Sequence, residues 1–179
     1  MNRDNVQNRK NGECPPACCP NTGELAPNFG FEGNFVASND DLVPVGWFGF
    51  NVTQETRQQF IHSGEKAVQL GRRPPDNAGL TTGPIVAGVT PGCFYILSFT
   101  AGGEGPANFT GELIFIDSMG NETTAGTIEI IGQSKVAGVG VYYRAIFGPA
   151  PQDLAAVRIE FNKIGVGSID LDNVSLTIA

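Results

Sequence analysis

Residues 165–178 read GVGSIDLDNVSLTI, and apolar and polar side chains alternate along most of this stretch. In a β-strand successive side chains point to opposite faces, so one apolar row can be buried against a second sheet. An alternation of this length is typical of a long or central strand. The stretch therefore predicts a protein built from two packed β-sheets.

The rest of the sequence repeats this pattern in shorter segments. Glycine or proline interrupts it about every eight to twelve residues, and the segments between are rich in Val, Ile, Phe, Tyr and Thr. Helix signals are nearly absent, so we predict an all-β fold, an antiparallel β-sandwich. The predicted strands are residues 29–32, 47–55, 66–70, 79–86, 94–102, 110–116, 123–132, 140–147, 157–162 and 168–178.

Length and composition favour one folded domain with a tail. The chain has 179 residues, of which 41% are hydrophobic and 16% are charged, which is enough for one core. We predict an extended, flexible connector rich in Cys and Pro at residues 1–24 and a β-sandwich at residues 25–179. The formal net charge of −7 argues against nucleic-acid binding, because that function needs clustered Lys and Arg.

The sequence also bears on localisation. No window approaches the ~20 apolar residues of a membrane-spanning helix. The N-terminal residues lack the hydrophobic core of a secretory signal peptide. We therefore expect no membrane span and no secretory signal peptide, and we predict an extracellular position at a cell or spore surface.

The cysteines are unevenly distributed: Cys14, Cys18 and Cys19 lie in the connector, and Cys93 lies far downstream. Adjacent cysteines can bond each other only with severe strain, because a disulfide places its two Cα atoms ~5.5 Å apart. The connector thiols therefore need other partners. A metal, free thiols, a disulfide within the chain and a disulfide between subunits all remain open, and intersubunit cross-linking is the sharpest hypothesis.

Four motifs resemble, in order, the landmarks of jelly rolls of the carbohydrate-binding-module type. They are Asn28-Phe-Gly-Phe-Glu32, Val45-Gly-Trp47, His62-Ser-Gly-Glu-Lys-Ala-Val-Gln-Leu70 and Ile169-Asp-Leu-Asp-Asn-Val-Ser-Leu176. The resemblance implies a jelly-roll sandwich over residues 28–176. It also implies a structural calcium ion bound by Glu32 and Asp172, whose oxygen donors suit that ion. We expect no other cofactor.

A second resemblance concerns the connector. A short N-terminal segment with adjacent cysteines, followed by a jelly roll with its own cysteine, is similar to the subunits of spore appendage fibres in Bacillus-like bacteria. This resemblance implies that the connector reaches neighbouring subunits and is locked there by disulfides at Cys18, Cys19 and Cys93. We therefore predict a self-assembling structural subunit of a pilus-like extracellular or spore-surface fibre, a head-to-tail polymer of copies of itself.

The alternative function is a carbohydrate-binding, lectin-like module whose disulfides anchor its own tail. Such modules stack sugar rings on exposed aromatic side chains, and the candidates are Tyr95, Tyr142 and Tyr143. Since Tyr142 and Tyr143 are adjacent, they point to opposite faces of one strand and at most one can join a binding platform. Trp47, the single tryptophan, belongs to a landmark that we expect in the core.

Catalytic motifs are absent from the sequence. The single histidine, His62, has a neighbouring serine but no Gly-x-Ser-x-Gly motif. No glycine-rich segment is followed by Lys and Ser or Thr in the pattern of a phosphate-binding loop. We therefore predict that the protein is not an enzyme.

Overall fold

A computed structural model describes residues 23–73, 76–131 and 139–179. Over these residues the chain forms twelve β-strands and two short 3-10 helices, Phe29–Phe31 and Gln58–Phe60. The strands are β1 (Phe35–Ser38), β2 (Asp41–Pro44), β3 (Trp47–Phe50), β4 (Val52–Glu55), β5 (Ala67–Leu70), β6 (Ala78–Thr82), β7 (Tyr95–Glu104), β8 (Asn108–Asp117), β9 (Glu122–Ile130), β10 (Val141–Phe147), β11 (Leu154–Ile164) and β12 (Ser168–Ile178).

The strands form two five-stranded antiparallel sheets and a small β1–β2 hairpin. The first sheet has the order β10-β7-β12-β5-β4, and the second has the order β3-β6-β11-β8-β9. Strand β12, the alternating stretch of the sequence, lies at the centre of the first sheet, between β7 and β5. The predicted antiparallel β-sandwich is therefore confirmed.

An aromatic cluster joins the two sheets. The ring of Phe161 on β11 stacks on that of Phe109, with centroids 5.7 Å apart, and meets the ring of Phe99 from β7 edge-on at 5.1 Å. Trp47 stacks on the other side of Phe161 at 6.1 Å. Gly111 leaves the space for this cluster, because a Cβ atom there would lie 2.8 Å from Phe99 and 2.9 Å from Phe161.

The single predicted strand over residues 47–55 is two strands in the structure. Asn51 separates β3 from β4 with a left-handed φ of 54°, a conformation that asparagine tolerates better than most residues. Its side-chain amide donates to the carbonyl of Arg73 at 2.7 Å and accepts from the amide of Arg73 at 3.1 Å. The chain therefore crosses from the second sheet to the first at this corner.

Two further differences lie near the N-terminal end of the domain. The predicted strand over residues 29–32 is wrong, because Asn28 and Phe31 have φ values of 46° and 56° and the segment forms a 3-10 helix. The hairpin of β1 and β2 was not predicted. The other eight predicted strands correspond to β5 through β12, with ends that differ by a few residues.

Glu24 fastens the start of the described chain to β12. Its carboxylate accepts hydrogen bonds from the amide of Leu176 at 2.8 Å and from the hydroxyl of Ser175 at 2.6 Å. The amide of Leu25 donates to the carbonyl of Leu176 at 2.9 Å. These contacts lie just after the irregularity of pairing between Asp172 and Ser175.

The connector, residues 1–24, falls almost wholly outside the described residues, so the predicted domain boundary stays a prediction.

No helix among the described residues is long and apolar enough to cross a membrane.

We expect Phe161→Ala to lower the free energy of unfolding by about 3–5 kcal/mol, because it removes a buried ring and leaves a cavity between the sheets. Urea titration followed by Trp47 fluorescence measures this change. As a control, Val86→Ala alters an apolar side chain that is 66% exposed and should change stability by less than about 0.5 kcal/mol. A similar effect of both substitutions would contradict the proposed role of the aromatic cluster.

Candidate functional site

The outer face of the first sheet carries polar side chains at paired positions on neighbouring strands. Along β12, Ile169 and Leu171 are buried in the core, so Asp170 between them points outward. Asp170 pairs with Gln69 on β5 and with Gly102 on β7, and Gln69 pairs with Thr53 on β4. One transverse row of outward side chains therefore crosses four strands.

Several side chains on this face are buried although they point away from the core. Gln69, Asp170, Ser98 and Thr100 are each less than 10% exposed. The segment just before β10 lies over part of the face, since a Cβ atom on Gly102 would be only 2.7 Å from the carbonyl oxygen of Val139. This sheet face is therefore partly covered by the chain rather than fully open to solvent.

At one end of this face lies a depression with a volume of about 700 Å³. It is larger than a single water site and is comparable with pockets that hold small ligands. We call it the trough. Its main polar lining residues are Gln54, Glu55, Arg57, Gln69, Arg72, Asp76, Glu104 and Ser168.

Asp170 is the most perturbed acid in this region. Its burial raises the pKa from 3.8 to about 7; a hydrogen bond from the Gln69 amide, 3.0 Å long, lowers it in part, and the nearby Glu55 raises it further. A carboxyl group with this pKa is about half protonated at neutral pH. Asp170 is itself buried, and it lies beside Gln69, which lines the trough.

Glu55 differs from Asp170 because it has a cationic partner. Burial opposes its ionisation, but the hydrogen bonds and charge of Arg57 outweigh burial and lower the pKa of Glu55. The guanidinium Nε of Arg57 lies 2.9 Å from Oε1 of Glu55, and the guanidinium carbon lies 4.3 Å from the centroid of the Phe60 ring. Arg57 is therefore held at the rim of the trough by an ion pair and an aromatic ring.

The loop of residues 62–66 is held by two carboxylates. Oδ2 of Asp172 accepts from the amides of His62 at 3.0 Å and Ser63 at 2.9 Å. Glu32 accepts from the amides of Glu65 and Lys66, each at 3.1 Å. Glu32 and Asp172, which are far apart in the sequence, therefore hold the same loop.

The calcium ion itself remains a prediction. Burial raises the pKa of Asp172, although backbone amides of Ser63, Asn173 and His62 oppose this change. The oxygens of Glu32 and Asp172 face N–H donors, and the described residues contain no group of three or more His, Cys, Asp or Glu side chains arranged to hold a metal. Backbone donors therefore compensate both carboxylates without an ion.

The three candidate tyrosines have different environments. Tyr95 is fully buried and its hydroxyl contacts the backbone of Thr90, so it cannot stack on a sugar. The Tyr143 ring packs against Phe99 in the core, with centroids 5.5 Å apart. Tyr142 points outward and is 60% exposed, in the same transverse row as Thr100 and Asp172. Tyr142 alone is placed to contact a ligand on the outer face.

Of the four cysteines, the structure describes Cys93, which is fully buried and disulfide-bonded. Cys14, Cys18 and Cys19 lie outside the described residues. The predicted pairing of these cysteines is therefore not tested.

Comparison with known proteins shows a fold of the carbohydrate-binding-module type. No protein-family model and no curated protein matches this chain. Among solved structures, the carbohydrate-binding module TmCBM61 in complex with β-1,4-galactotriose is 17% identical, with a TM-score of 0.59, and the match covers 86% of this chain and 97% of that chain. The CBM22-1 and GH10 modules of Clostridium thermocellum xylanase 10B, complexed with xylohexaose, are 16% identical, with a TM-score of 0.61, over 87% of this chain.

Other matches are to parts of larger proteins. The enzymatically active domain of bacteriophage CBA120 tailspike protein 4 is 20% identical, with a TM-score of 0.57, over 75% of this chain. This chain spans only 20% of that tailspike domain and 28% of the xylanase chain. At these identities the likeness establishes the fold, which is a jelly-roll β-sandwich.

The fibre-subunit prediction is wrong, since the similar structures include carbohydrate-binding modules, one in complex with xylohexaose, one in complex with β-1,4-galactotriose and one described as a xylan-binding domain. Nothing in the described residues supports head-to-tail self-assembly, a spore-appendage relationship or a pilus-like role.

The trough residues Glu55, Arg57, Gln69 and Glu104 were not predicted as site residues. Each is an ordinary polar residue in or beside a strand, and no short motif marks it. The alternation of apolar and polar residues predicts that Gln69 and Asp170 lie on the face opposite the core. The sequence does not show that β5 pairs with β12, so it does not bring these residues together.

We expect the stability of the wild type to fall more steeply between pH 5 and pH 8 than that of Asp170→Asn. The folded state keeps a proton on Asp170 up to about pH 7, while the unfolded state loses it near its ordinary pKa, so rising pH favours unfolding. The difference should reach about 3 kcal/mol, because each pH unit between the two pKa values costs about 1.4 kcal/mol. Urea titrations at both pH values measure it.

Asp153→Asn is the control for this experiment, because Asp153 is exposed and should follow the wild type. Parallel curves for the wild type and Asp170→Asn would contradict the raised pKa of Asp170.

The calcium hypothesis predicts that millimolar CaCl2 raises the unfolding temperature relative to EDTA in the wild type, and that Glu32→Gln abolishes this rise. Binding to the folded state alone stabilises it by mass action. Differential scanning calorimetry measures the temperatures. Equal temperatures with CaCl2 and EDTA would instead show that backbone amides alone hold Glu32 and Asp172.

Proposed function

We propose that this protein is a non-catalytic module that binds neutral polysaccharide chains in the trough on the first sheet. The observation that carries the proposal is the trough itself, a depression of about 700 Å³ with hydrogen-bonding side chains from β4, β5, β7 and β12. Sugars present many hydroxyl groups that both donate and accept. A site rich in carboxylates, amides and guanidinium groups matches that chemistry.

The chemistry of individual groups supports this proposal. Carboxylates such as Glu104 accept hydrogen bonds from sugar hydroxyls, and Arg57 donates to sugar oxygens. Tyr142, exposed on the same sheet face, offers an aromatic surface for a sugar ring beyond the trough.

Charge limits the ligand class. The chain carries a net charge of −7, and the trough is lined by Glu55, Asp76 and Glu104 along with Arg57 and Arg72. This balance disfavours polyanionic ligands, since like charges repel. We therefore propose a neutral polysaccharide, encountered outside the cell, as the ligand.

The ligands of the similar structures define the first probes. TmCBM61 was determined with β-1,4-galactotriose, and the xylanase modules were determined with xylohexaose. We expect the wild type to bind at least one neutral oligosaccharide from a panel of xylohexaose, β-1,4-galactotriose and cellohexaose. Isothermal titration calorimetry measures affinity and stoichiometry.

Removing trough side chains should weaken this binding. We expect Glu104→Ala to raise the dissociation constant about tenfold or more, because a lost charge-assisted hydrogen bond costs about 1.5–3 kcal/mol. Gln69→Ala should also weaken binding. Asp153→Ala, an exposed acidic position away from the trough, is the matched control and should bind as the wild type does. Binding that is unchanged in both trough variants would contradict the proposed site, and no binding to any glycan of the panel would contradict the function.

A further inference from the structure

The second sheet carries two exposed aromatic side chains on its end strand. Phe48 and Phe50 on β3 are 64% and 56% exposed. They are two residues apart, so both point to the outer face of the sheet, while Trp47 between the sheets is buried. Exposed rings in this arrangement are unusual on a soluble surface unless they serve a contact.

Glycines on the neighbouring strand set the position of these rings. Gly79 on β6 pairs with Phe50, and a Cβ atom on Gly79 would lie only 2.5 Å from Cε1 of Phe50. A Cβ atom on Gly83, just after β6, would lie 3.5 Å from Cε2 of Phe48. Each ring therefore lies against a backbone without side chains and keeps its other surface toward solvent.

Ordered polar groups adjoin the two rings. Phe48 on β3 pairs with Thr81 on β6, which pairs with Glu160 on β11. In the same way, Gly79 on β6 lies between Phe50 and Asn162. The side-chain amide of Asn162 donates to Glu160 at 2.9 Å, and Arg158 forms ion pairs with Glu122 and Glu160. Rings and polar groups together line a depression of about 580 Å³.

We propose that this depression is a second glycan-binding surface, which takes a segment of a neutral linear polysaccharide along β3. The C–H faces of pyranose rings stack on the Phe48 and Phe50 rings, and sugar hydroxyls bond to Glu160 and Asn162. This inference goes beyond the proposed function, because it adds a site on the opposite face of the sandwich. A module with both sites links two polysaccharide chains.

Two observations favour a neutral glycan over other occupants. Glu112 on β8 pairs directly with Glu160, and burial together with the charge of Glu160 raises the pKa of Glu112, so this face repels polyanions. Two half-exposed rings supply roughly 200–300 Å² of apolar surface, whereas a stable protein interface needs about 800 Å² per partner. The two rings alone therefore supply less area than a dimer interface needs.

The test combines the wild type with three variants: Phe48→Ala/Phe50→Ala, Glu104→Ala in the trough, and Phe29→Ala. Phe29 is also 60% exposed and lies in a 3-10 helix away from both sites, so Phe29→Ala is the matched aromatic control. Calorimetric titration uses xylohexaose, β-1,4-galactotriose and cellohexaose. Circular dichroism of each variant establishes that it is folded.

We expect two oligosaccharides per chain in the wild type and in Phe29→Ala, and one in Phe48→Ala/Phe50→Ala, with the remaining site unchanged. Affinity at the lost site should fall roughly tenfold or more. Unchanged stoichiometry and affinity in Phe48→Ala/Phe50→Ala would overturn the second site. If Glu104→Ala left binding intact while Phe48→Ala/Phe50→Ala lost all of it, glycan binding in the trough would be contradicted and glycan binding at the second site would be supported. A wild-type dimer in light scattering that Phe48→Ala/Phe50→Ala dissociates would also overturn the proposal.

Discussion

The stack of Trp47, Phe161 and Phe109 with the edge-on ring of Phe99 is the contact on which the two-layered fold depends. Its members come from both sheets, and Gly111 provides the space that the rings fill. Because aromatic rings bury large apolar areas, this cluster fixes the distance between the sheets. With the apolar rows turned inward, every remaining strand position faces outward, and the two outer faces become available for ligands.

Carboxylates then attach the irregular segments to this sandwich. Asp172 and Glu32 hold the loop of residues 62–66, and Glu24 holds the start of the described chain on β12. Each accepts hydrogen bonds from backbone amides. For Asp172, which is fully buried, these bonds compensate the cost of burying its charge, whereas Glu32 is exposed. Asp170 is also buried and accepts a hydrogen bond from the Gln69 side-chain amide. Burial raises the pKa of Asp170, as it raises the pKa of Asp172.

The sequence was informative where the apolar pattern was long. Strands β7, β8, β11 and β12 have strong alternation or continuous apolar runs, and all four were predicted. The corner at Asn51 was not, because the alternation continues through it and only the left-handed φ of this residue reveals the crossing between sheets. The hairpin of β1 and β2 was missed because β1 is mostly exposed and so has no buried apolar row that alternates with polar residues.

The candidate site was harder to predict than the fold. The resemblance paired Glu32 with Asp172 as calcium ligands, which stays a prediction. Trough residues such as Gln69 and Glu104 come from different strands, and only strand pairing makes them neighbours. Tyr95 was a reasonable candidate by residue type, but its place in the inward row of β7 buries it. The connector cysteines drew the functional hypothesis toward a fibre because a rare residue cluster is conspicuous in a sequence, whereas a polar sheet face is not.

The most direct test of the account is an NMR titration of the 15N-labelled protein with xylohexaose, β-1,4-galactotriose and cellohexaose. The account predicts that at least one of them shifts the amide signals of Gln69, Glu104 and Ser168, which line the trough. Signals in the turn at residues 118–120 should stay in place. Spectra that remain unchanged with all three glycans, or that change only away from both sheet faces, would contradict a polysaccharide-binding function.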